Sequence, residues 1–157
     1  MTTTLATPDT NLATIQAALP IDPQPYIIAD RPTGLIVVEV LNGFCTVGFG
    51  PLAPQEPNEQ IATMVSESDR LARTFVEKGW PVLAFLDTHE PGKPEPPYPP
   101  HCEKGTGEEE LVPELQWLHD NPLATLVFKD CINGFIGSID IETQGNVCLL
   151  YTSPSPR

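Results

Sequence analysis

Apolar residues along the chain form three short runs, separated by one long segment of helical periodicity and by polar or proline-rich stretches. The first run, at 34–41, is nearly continuous in aliphatic and β-branched residues, which is typical of a strand covered on both faces. The runs at 82–86 and 124–128 have the same character. From 58 to 78 apolar residues recur every three or four positions, which predicts an amphipathic helix.

Strand, helix and strand in this order form a βαβ unit, which makes the two strands parallel. Thr106 and Glu109 have the spacing of a capping box and predict a short helical stretch that begins there, runs through Leu111, Leu115 and Leu118, and restarts at Pro113. We therefore expect an α/β fold, with a three-layer α/β/α arrangement around a Rossmann-like parallel sheet. Three strands and two helices do not cover both faces of such a sheet, so the pattern indicates a fold that is incomplete at the C-terminus.

The weakly patterned segments set the expected domain boundaries. Residues 1–33 are rich in Thr, Ala and Pro and predict a weakly structured leader with one short helix capped by Asp9. Residues 34–147 carry the α/β pattern. Residues 148–157 have no periodicity, and we interpret them as a non-native tail, with a natural disordered terminus as the alternative.

Composition narrows the classes of partner. The 157 residues include 21 acidic and 8 basic side chains, a formal net charge of −13, which disfavours binding to nucleic acid or to an anionic membrane surface. No apolar run approaches the roughly 20 residues of a membrane-spanning helix, and no Lys or Arg precedes Arg31 as a secretory signal requires. The four cysteines form no CxxC pair, so we expect free thiols in a cytoplasmic protein.

Charged residues mark the end of each predicted strand. Glu39 lies near the end of the first run, Asp87 follows the second and Lys129 follows the third. Because the carboxyl ends of neighbouring parallel strands form the ligand crevice of open α/β sheets, these side chains should converge, with Lys129 as the partner of Glu39. Asp87, His89 and His101 also have the chemistry of a divalent metal site, for which Zn²⁺ is the expected ion. Six prolines between 91 and 100 would hold His101 at a fixed distance from His89.

Several ordered blocks of this sequence resemble the nicotinamidases of the isochorismatase-like cysteine hydrolase superfamily, and match the eukaryotic pattern most closely. The blocks are 35–45, 87–91, 96–102, 105–106, 111–115 and 129–135. The resemblance implies an amidohydrolase that converts nicotinamide to nicotinate and ammonia in NAD salvage. It implies an Asp–Lys–Cys triad with Lys129 as the lysine, and metal ligands at Asp87, His89 and His101.

The resemblance also places two aromatic side chains, Phe44 and Tyr98, along the nicotinamide ring. Two features depart from the family pattern. Glu39 stands where the family has Asp, which displaces the base by roughly 1 Å and costs about 10²-fold in rate if the backbone does not adjust. The block that carries the nucleophilic Cys is not in this chain, and Cys148 lies before that block.

Cys45, Cys102 and Cys131 lie within matched blocks but away from the catalytic position, and we interpret them as packing thiols. We therefore expect the chain as written to be inactive. Two alternatives stay open: another small-amide hydrolase of the superfamily, and a catalytically dead relative that still binds metal or ligand. The sequence also leaves open whether the intact parent protein, of which this chain would be a part, forms a homo-oligomer.

Overall fold

A computed structural model describes residues 8–20, 28, 31, 33–93, 95–132 and 134. The chain divides into two units, Met1–Arg31 and Pro32–Arg157. In the first unit, helix α1 spans Pro8–Ala18, so the predicted short helix is present, but Asp9 as its cap is wrong because Asp9 is the second residue of the helix. The predicted tail at 148–157, with Cys148, lies outside the described residues.

The second unit is built on a parallel sheet of three strands in the order β1-β2-β3. Strand β1 spans Leu35–Val38, β2 spans Val82–Asp87 and β3 spans Ala124–Lys129. All three strands fall within the predicted runs or extend them by one residue, and both pairings are parallel, as the βαβ pattern predicted. The carboxyl ends of β2 and β3 stop level with each other at one edge of the sheet.

Helix α2 is a single turn (Asn42–Cys45) directly after β1, and the crossover helix α3 spans Glu59–Glu77. The side chain of Asn58 caps α3 by accepting the N–H groups of Gln60 and Ile61 at 3.0 and 3.1 Å. Gly79 follows the helix with φ +74°, a left-handed conformation that suits glycine at a helix C-terminus.

The predicted helix at Thr106 is wrong. The capping-box residues instead stabilise a turn: the Thr106 hydroxyl accepts the N–H of Glu108 at 3.2 Å, and Glu109 accepts the N–H of Gly105 at 2.6 Å. A 3₁₀ helix begins at Pro113, where the sequence predicted the restart, and ends at Asp120. Proline is favourable there because a first-turn residue has no helical acceptor for its N–H.

Helix α3 and the 3₁₀ helix cover one face of the sheet. The apolar core contains buried residues from β1, β2, α3 and the 3₁₀ helix: Val37, Val65, Ala72, Val82, Ala84, Leu86, Leu115 and Leu118. Within the described ranges, Ile36 and Val38 of β1 are 42% and 56% exposed, so the expectation that β1 is covered on both faces is wrong there. Among the described helices, none has both the length and the apolar character that a membrane crossing requires.

Candidate active site

The three charged residues at the strand ends meet at the carboxyl edge of the sheet. Asp87 and Lys129 are register partners on β2 and β3. The Lys129 ammonium lies 2.9 Å from Asp87 Oδ1 and 2.6 Å from Glu39 Oε1. The predicted convergence, including the pairing of Lys129 with Glu39, is therefore observed.

Lys129 is a buried cation between two carboxylates. Its side chain is 2% exposed, and those of Asp87 and Glu39 are 7% and 34% exposed. Burial acts to lower the pKa of Lys129, but the hydrogen bonds and charges of Glu39 and Asp87 outweigh it, so the pKa is raised above its usual value of 10.5. Lys129 consequently carries its positive charge throughout the neutral range.

Glu39 has an uncommon backbone conformation for its residue type, with φ +56°. Its N–H still donates to the carbonyl of Phe85 at 3.0 Å, as a continuing strand would. The left-handed conformation interrupts the alternation of β1 at the residue whose side chain reaches Lys129. The conformational cost is of the kind found at functional sites, where the surrounding structure holds a residue in place.

A second group of side chains adjoins this ion pair and has the composition of a metal site. Asp87, His89, Glu95 and His101 each offer one ligand atom, and these atoms lie within 4.8 Å of one another. Asp87 Oδ2 is 3.0 Å from His89 Nε2 and 3.2 Å from His101 Nε2. Both imidazoles are 5% exposed and Glu95 is 29% exposed.

The hydrogen bonds of His101 show that this donor set suits a cation. Its Nδ1 lies 2.8 Å from the carbonyl of Pro99, which only accepts hydrogen bonds, so Nδ1 carries the proton. In the neutral imidazole, Nε2 then directs a lone pair toward the Asp87 carboxylate. A lone pair facing a carboxylate is repulsive unless a proton or a metal cation lies between them, and neutral imidazoles with carboxylates are ligands that Zn²⁺ accepts.

Backbone hydrogen bonds join the segment of His89, after β2, to the segment that follows His101, after the proline loop. The N–H of His89 donates to the carbonyl of Cys102, and the N–H of Lys104 donates to the carbonyl of His89, both at 2.9 Å. The two imidazole centroids are 4.7 Å apart. The expectation that the loop would bring His101 close to His89 is therefore confirmed.

Two aromatic rings flank the His101 imidazole. The ring of Phe44 lies 5.7 Å from it and that of Tyr98 lies 6.0 Å from it, centroid to centroid. Tyr98 is 48% exposed, whereas Phe44 on helix α2 also packs against the apolar core. These are the residues that the sequence resemblance assigned to the walls of a ring-binding site, and that role stays a prediction.

Two of the described cysteines, Cys45 and Cys102, lack the environment of a nucleophile. Cys102 is fully buried, and burial together with the Asp87 charge raises the pKa of its thiol. Burial also raises the pKa of the Cys45 thiol above 9.0. Since a nucleophilic cysteine requires a lowered pKa and access, both residues fit the interpretation as packing thiols.

Sequence reasoning missed Glu95 as a member of the metal group. The signal for Glu95 was present, because it is a charged residue between two histidines in a loop composed largely of prolines. The convergence of Asp87 with Lys129 was predicted from the strand ends, and the register places the two residues directly opposite each other.

The fold and the site together define an α/β protein with a candidate metal centre at the carboxyl edge of its sheet. The isochorismatase domain family matches residues 33–143, and the chain belongs to this family. The expected isochorismatase-like fold class is thus confirmed.

Individual relatives are nicotinamidases and another amidase. Nicotinamidase 1 of Arabidopsis thaliana is 51% identical over 140 residues, covering 88% of this chain and 57% of that protein. A Bacillus subtilis nicotinamidase structure is similar at a TM-score of 0.54 with 28% identity, covering 69% of this chain and 61% of that one. An N-carbamoylsarcosine amidase structure from Thermoplasma acidophilum gives a TM-score of 0.55 with 26% identity, covering 67% of this chain and 56% of that one. The chain spans a little over half the length of the curated relative it matches.

Proposed function

We propose that this chain forms part of a nicotinamidase, which hydrolyses nicotinamide to nicotinate and ammonia for NAD salvage. The observation that carries the proposal is the unbroken series of contacts from Glu39 through Lys129 to Asp87, and from Asp87 to His89 and His101. It joins a carboxylate base to a metal-binding group at one edge of the sheet. The 51% identity to the Arabidopsis nicotinamidase supports the same assignment.

In the proposed reaction a cysteine thiolate attacks the amide carbon, ammonia leaves, and water cleaves the thioester. Glu39 takes the thiol proton and passes it to the departing ammonia. Lys129 holds the Glu39 carboxylate through the 2.6 Å contact and adds positive potential beside the thiolate. Glu39 thus takes the role that Asp has in the family pattern.

Asp87, His89 and His101, joined by Glu95, would hold the divalent cation, with Zn²⁺ as the proposed ion. When bound, the cation supplies a Lewis-acidic contact for the pyridine nitrogen of the substrate. Phe44 and Tyr98 flank His101 and would lie along the ring of nicotinamide. These residues would thus orient the ring and leave the amide free to react.

We also propose that the nucleophile belongs to the part of the relatives' length that this chain does not span. On the interpretation of Cys45, Cys102 and Cys131 as packing thiols, the 157-residue chain would bind metal and ligand without turnover. Free thiols among the described residues suit a cytoplasmic protein.

Ligand binding by the zinc-loaded chain tests the metal and ring sites. Nicotinamide and benzamide have the same shape, but benzamide lacks the ring nitrogen. We expect saturation-transfer NMR to detect nicotinamide binding that disappears with H101A or EDTA, and much weaker binding of benzamide. Equal binding of the two amides, or nicotinamide binding that survives H101A, would contradict the proposal.

Hydrolysis is tested by joining this chain to the segment of Arabidopsis Nicotinamidase 1 that it does not span. We expect ammonia release from nicotinamide, and loss of that activity with E39Q. The fold similarity to an N-carbamoylsarcosine amidase supports a second candidate, hydrolysis of a carbamoyl compound. Ammonia from N-carbamoylsarcosine but not from nicotinamide would favour that candidate, and no release from either would favour a ligand-binding relative without activity.

A further inference from the structure

A carboxylate that belongs to neither the metal group nor the ion pair contacts the backbone beside them. Glu108 Oε2 accepts the N–H of Cys102 at 2.9 Å. Glu108 is half-buried, and among the described residues no lysine or arginine forms a salt bridge with it. Its carboxylate therefore acts on the Cys102 peptide rather than on a cation.

Cys102 takes part in one of the two backbone hydrogen bonds that join the segment of His89 to the segment of His101; the other links Lys104 to His89. His101 directly precedes Cys102, and the Cys102 carbonyl accepts the N–H of His89 at 2.9 Å. Cys102 has φ +45°, a left-handed conformation that a non-glycine residue rarely adopts without external support. The hydrogen bond from its N–H to Glu108 supplies such support.

The surroundings of Glu108 restrict where its carboxylate can lie. A Cβ atom added at Gly50 would lie 2.7 Å from the carboxylate carbon and 2.8 Å from Oε2. A Cβ atom added at Gly43 would lie 3.0 Å from Glu108 Cβ and 2.8 Å from Cys102 Sγ. The N–H of Gly43 donates to the Glu108 carbonyl at 2.9 Å. Two glycines thus leave room for this side chain and confine it against Cys102.

We propose that Glu108 is a positioning residue for the metal group: its carboxylate fixes the Cys102 peptide, and this peptide sets the placement of His89 relative to His101. The inference rests on the metal site of the proposed function. Outer contacts that orient metal ligands typically contribute 10- to 100-fold in metal affinity. The position of the acceptor oxygen, and not the negative charge, is what the mechanism requires.

Two conservative variants separate position from charge. E108D keeps the charge but shortens the side chain by one methylene, which withdraws the oxygen from the Cys102 N–H. E108Q keeps the length and an acceptor oxygen but removes the charge. E109D is the matched control, because Glu109 also accepts a loop N–H, that of Gly105, but contacts neither histidine segment.

The assay is Co²⁺ binding to the 157-residue chain, followed by the visible absorption of the bound ion and by competition with Zn²⁺. We expect E108D to weaken Co²⁺ binding about 10-fold or more and to change the absorption spectrum, which reports ligand geometry. E108Q and E109D should bind Co²⁺ as the wild-type chain does. Far-UV circular dichroism of each variant verifies that the fold is retained.

Two patterns would overturn the inference alone: an E108D affinity equal to that of E109D, or weakened binding in E108Q with unchanged binding in E108D. The second pattern would assign the effect to charge. If the wild-type chain and H101A bound Co²⁺ with equal affinity, the proposed metal site would be refuted and, with it, this inference.

Discussion

Removing the Lys129 ammonium should be the most destabilising single change at the site. In K129M an unbranched apolar side chain of similar length replaces the lysine, and both carboxylates lose their counter-charge. The Asp87 side chain is 7% exposed and the Glu39 side chain is 34% exposed. Asp87 therefore stays a buried anion without its lysine partner, while water screens part of the Glu39 charge.

Breaking a buried ion pair by removing one partner costs about 3–5 kcal/mol in the free energy of unfolding. Because Glu39 is partly exposed, we expect the lower end of this range, about 3 kcal/mol. Saturating Zn²⁺ should reduce the loss, since a cation at the metal group would neutralise Asp87. Adding E39Q to K129M should recover part of the stability, because it removes one of the two unpaired charges.

Urea denaturation followed by circular dichroism measures these differences, with K93M as the matched control. Lys93 forms a 2.6 Å ion pair with Asp130, but the two side chains are 57% and 48% exposed, so K93M should leave the unfolding midpoint nearly unchanged. An equal shift of the midpoint in K129M and K93M would refute the assignment of Lys129 as a buried cation between two carboxylates.

Three further predictions concern buried or partly buried contacts of the second unit. Because burial raises the pKa of Cys45 above 9.0, the alkylation of Cys45 by iodoacetamide should be slow at pH 7 and accelerate about tenfold per pH unit up to pH 9. Peptide mass spectrometry measures this rate, and a rate that levels off below pH 8 would contradict the prediction. G43A should lower the free energy of unfolding by about 1–3 kcal/mol, because the new Cβ would lie 2.8 Å from Cys102 Sγ, and an unchanged urea midpoint would count against it. D69A should lower the free energy of unfolding by about 1 kcal/mol and shift the tryptophan fluorescence, since Asp69 accepts the Trp117 indole N–H at 2.7 Å. An unchanged emission spectrum would argue against that hydrogen bond.

The sheet and the crossover helix were predictable because their signals are local. Apolar runs located all three strands, and the periodicity from 58 to 78 located α3, whose observed range is Glu59–Glu77. The capping-box prediction failed because the Thr106 and Glu109 side chains stabilise turns as readily as helix starts. At that position Gly105 and Gly107, both with positive φ, favour the turn.

At the site, residue types and strand ends located the participants but not all their partners. The strand-end rule placed Glu39 and Lys129 together, and the proline loop brought His101 to His89, as expected. Glu95 was missed because the loop was interpreted only as a spacer. The left-handed backbone of Glu39 and Cys102 was not predictable from the pattern of residues, since it accompanies contacts outside the local strand or helix: Glu39 with Phe85, and Cys102 with His89 and Glu108.

The central claim is that one cation-binding group shares Asp87 with the Glu39–Lys129 ion pair. The most direct measurement is an anomalous difference map from crystals of the chain grown with Zn²⁺. We predict a single strong peak about 2.0–2.2 Å from the Nε2 atoms of His89 and His101 and from Asp87 Oδ2, with Lys129 still bonded to Asp87 Oδ1. A map with no peak among these residues, or with Lys129 displaced from Asp87 when zinc is bound there, would contradict the claim.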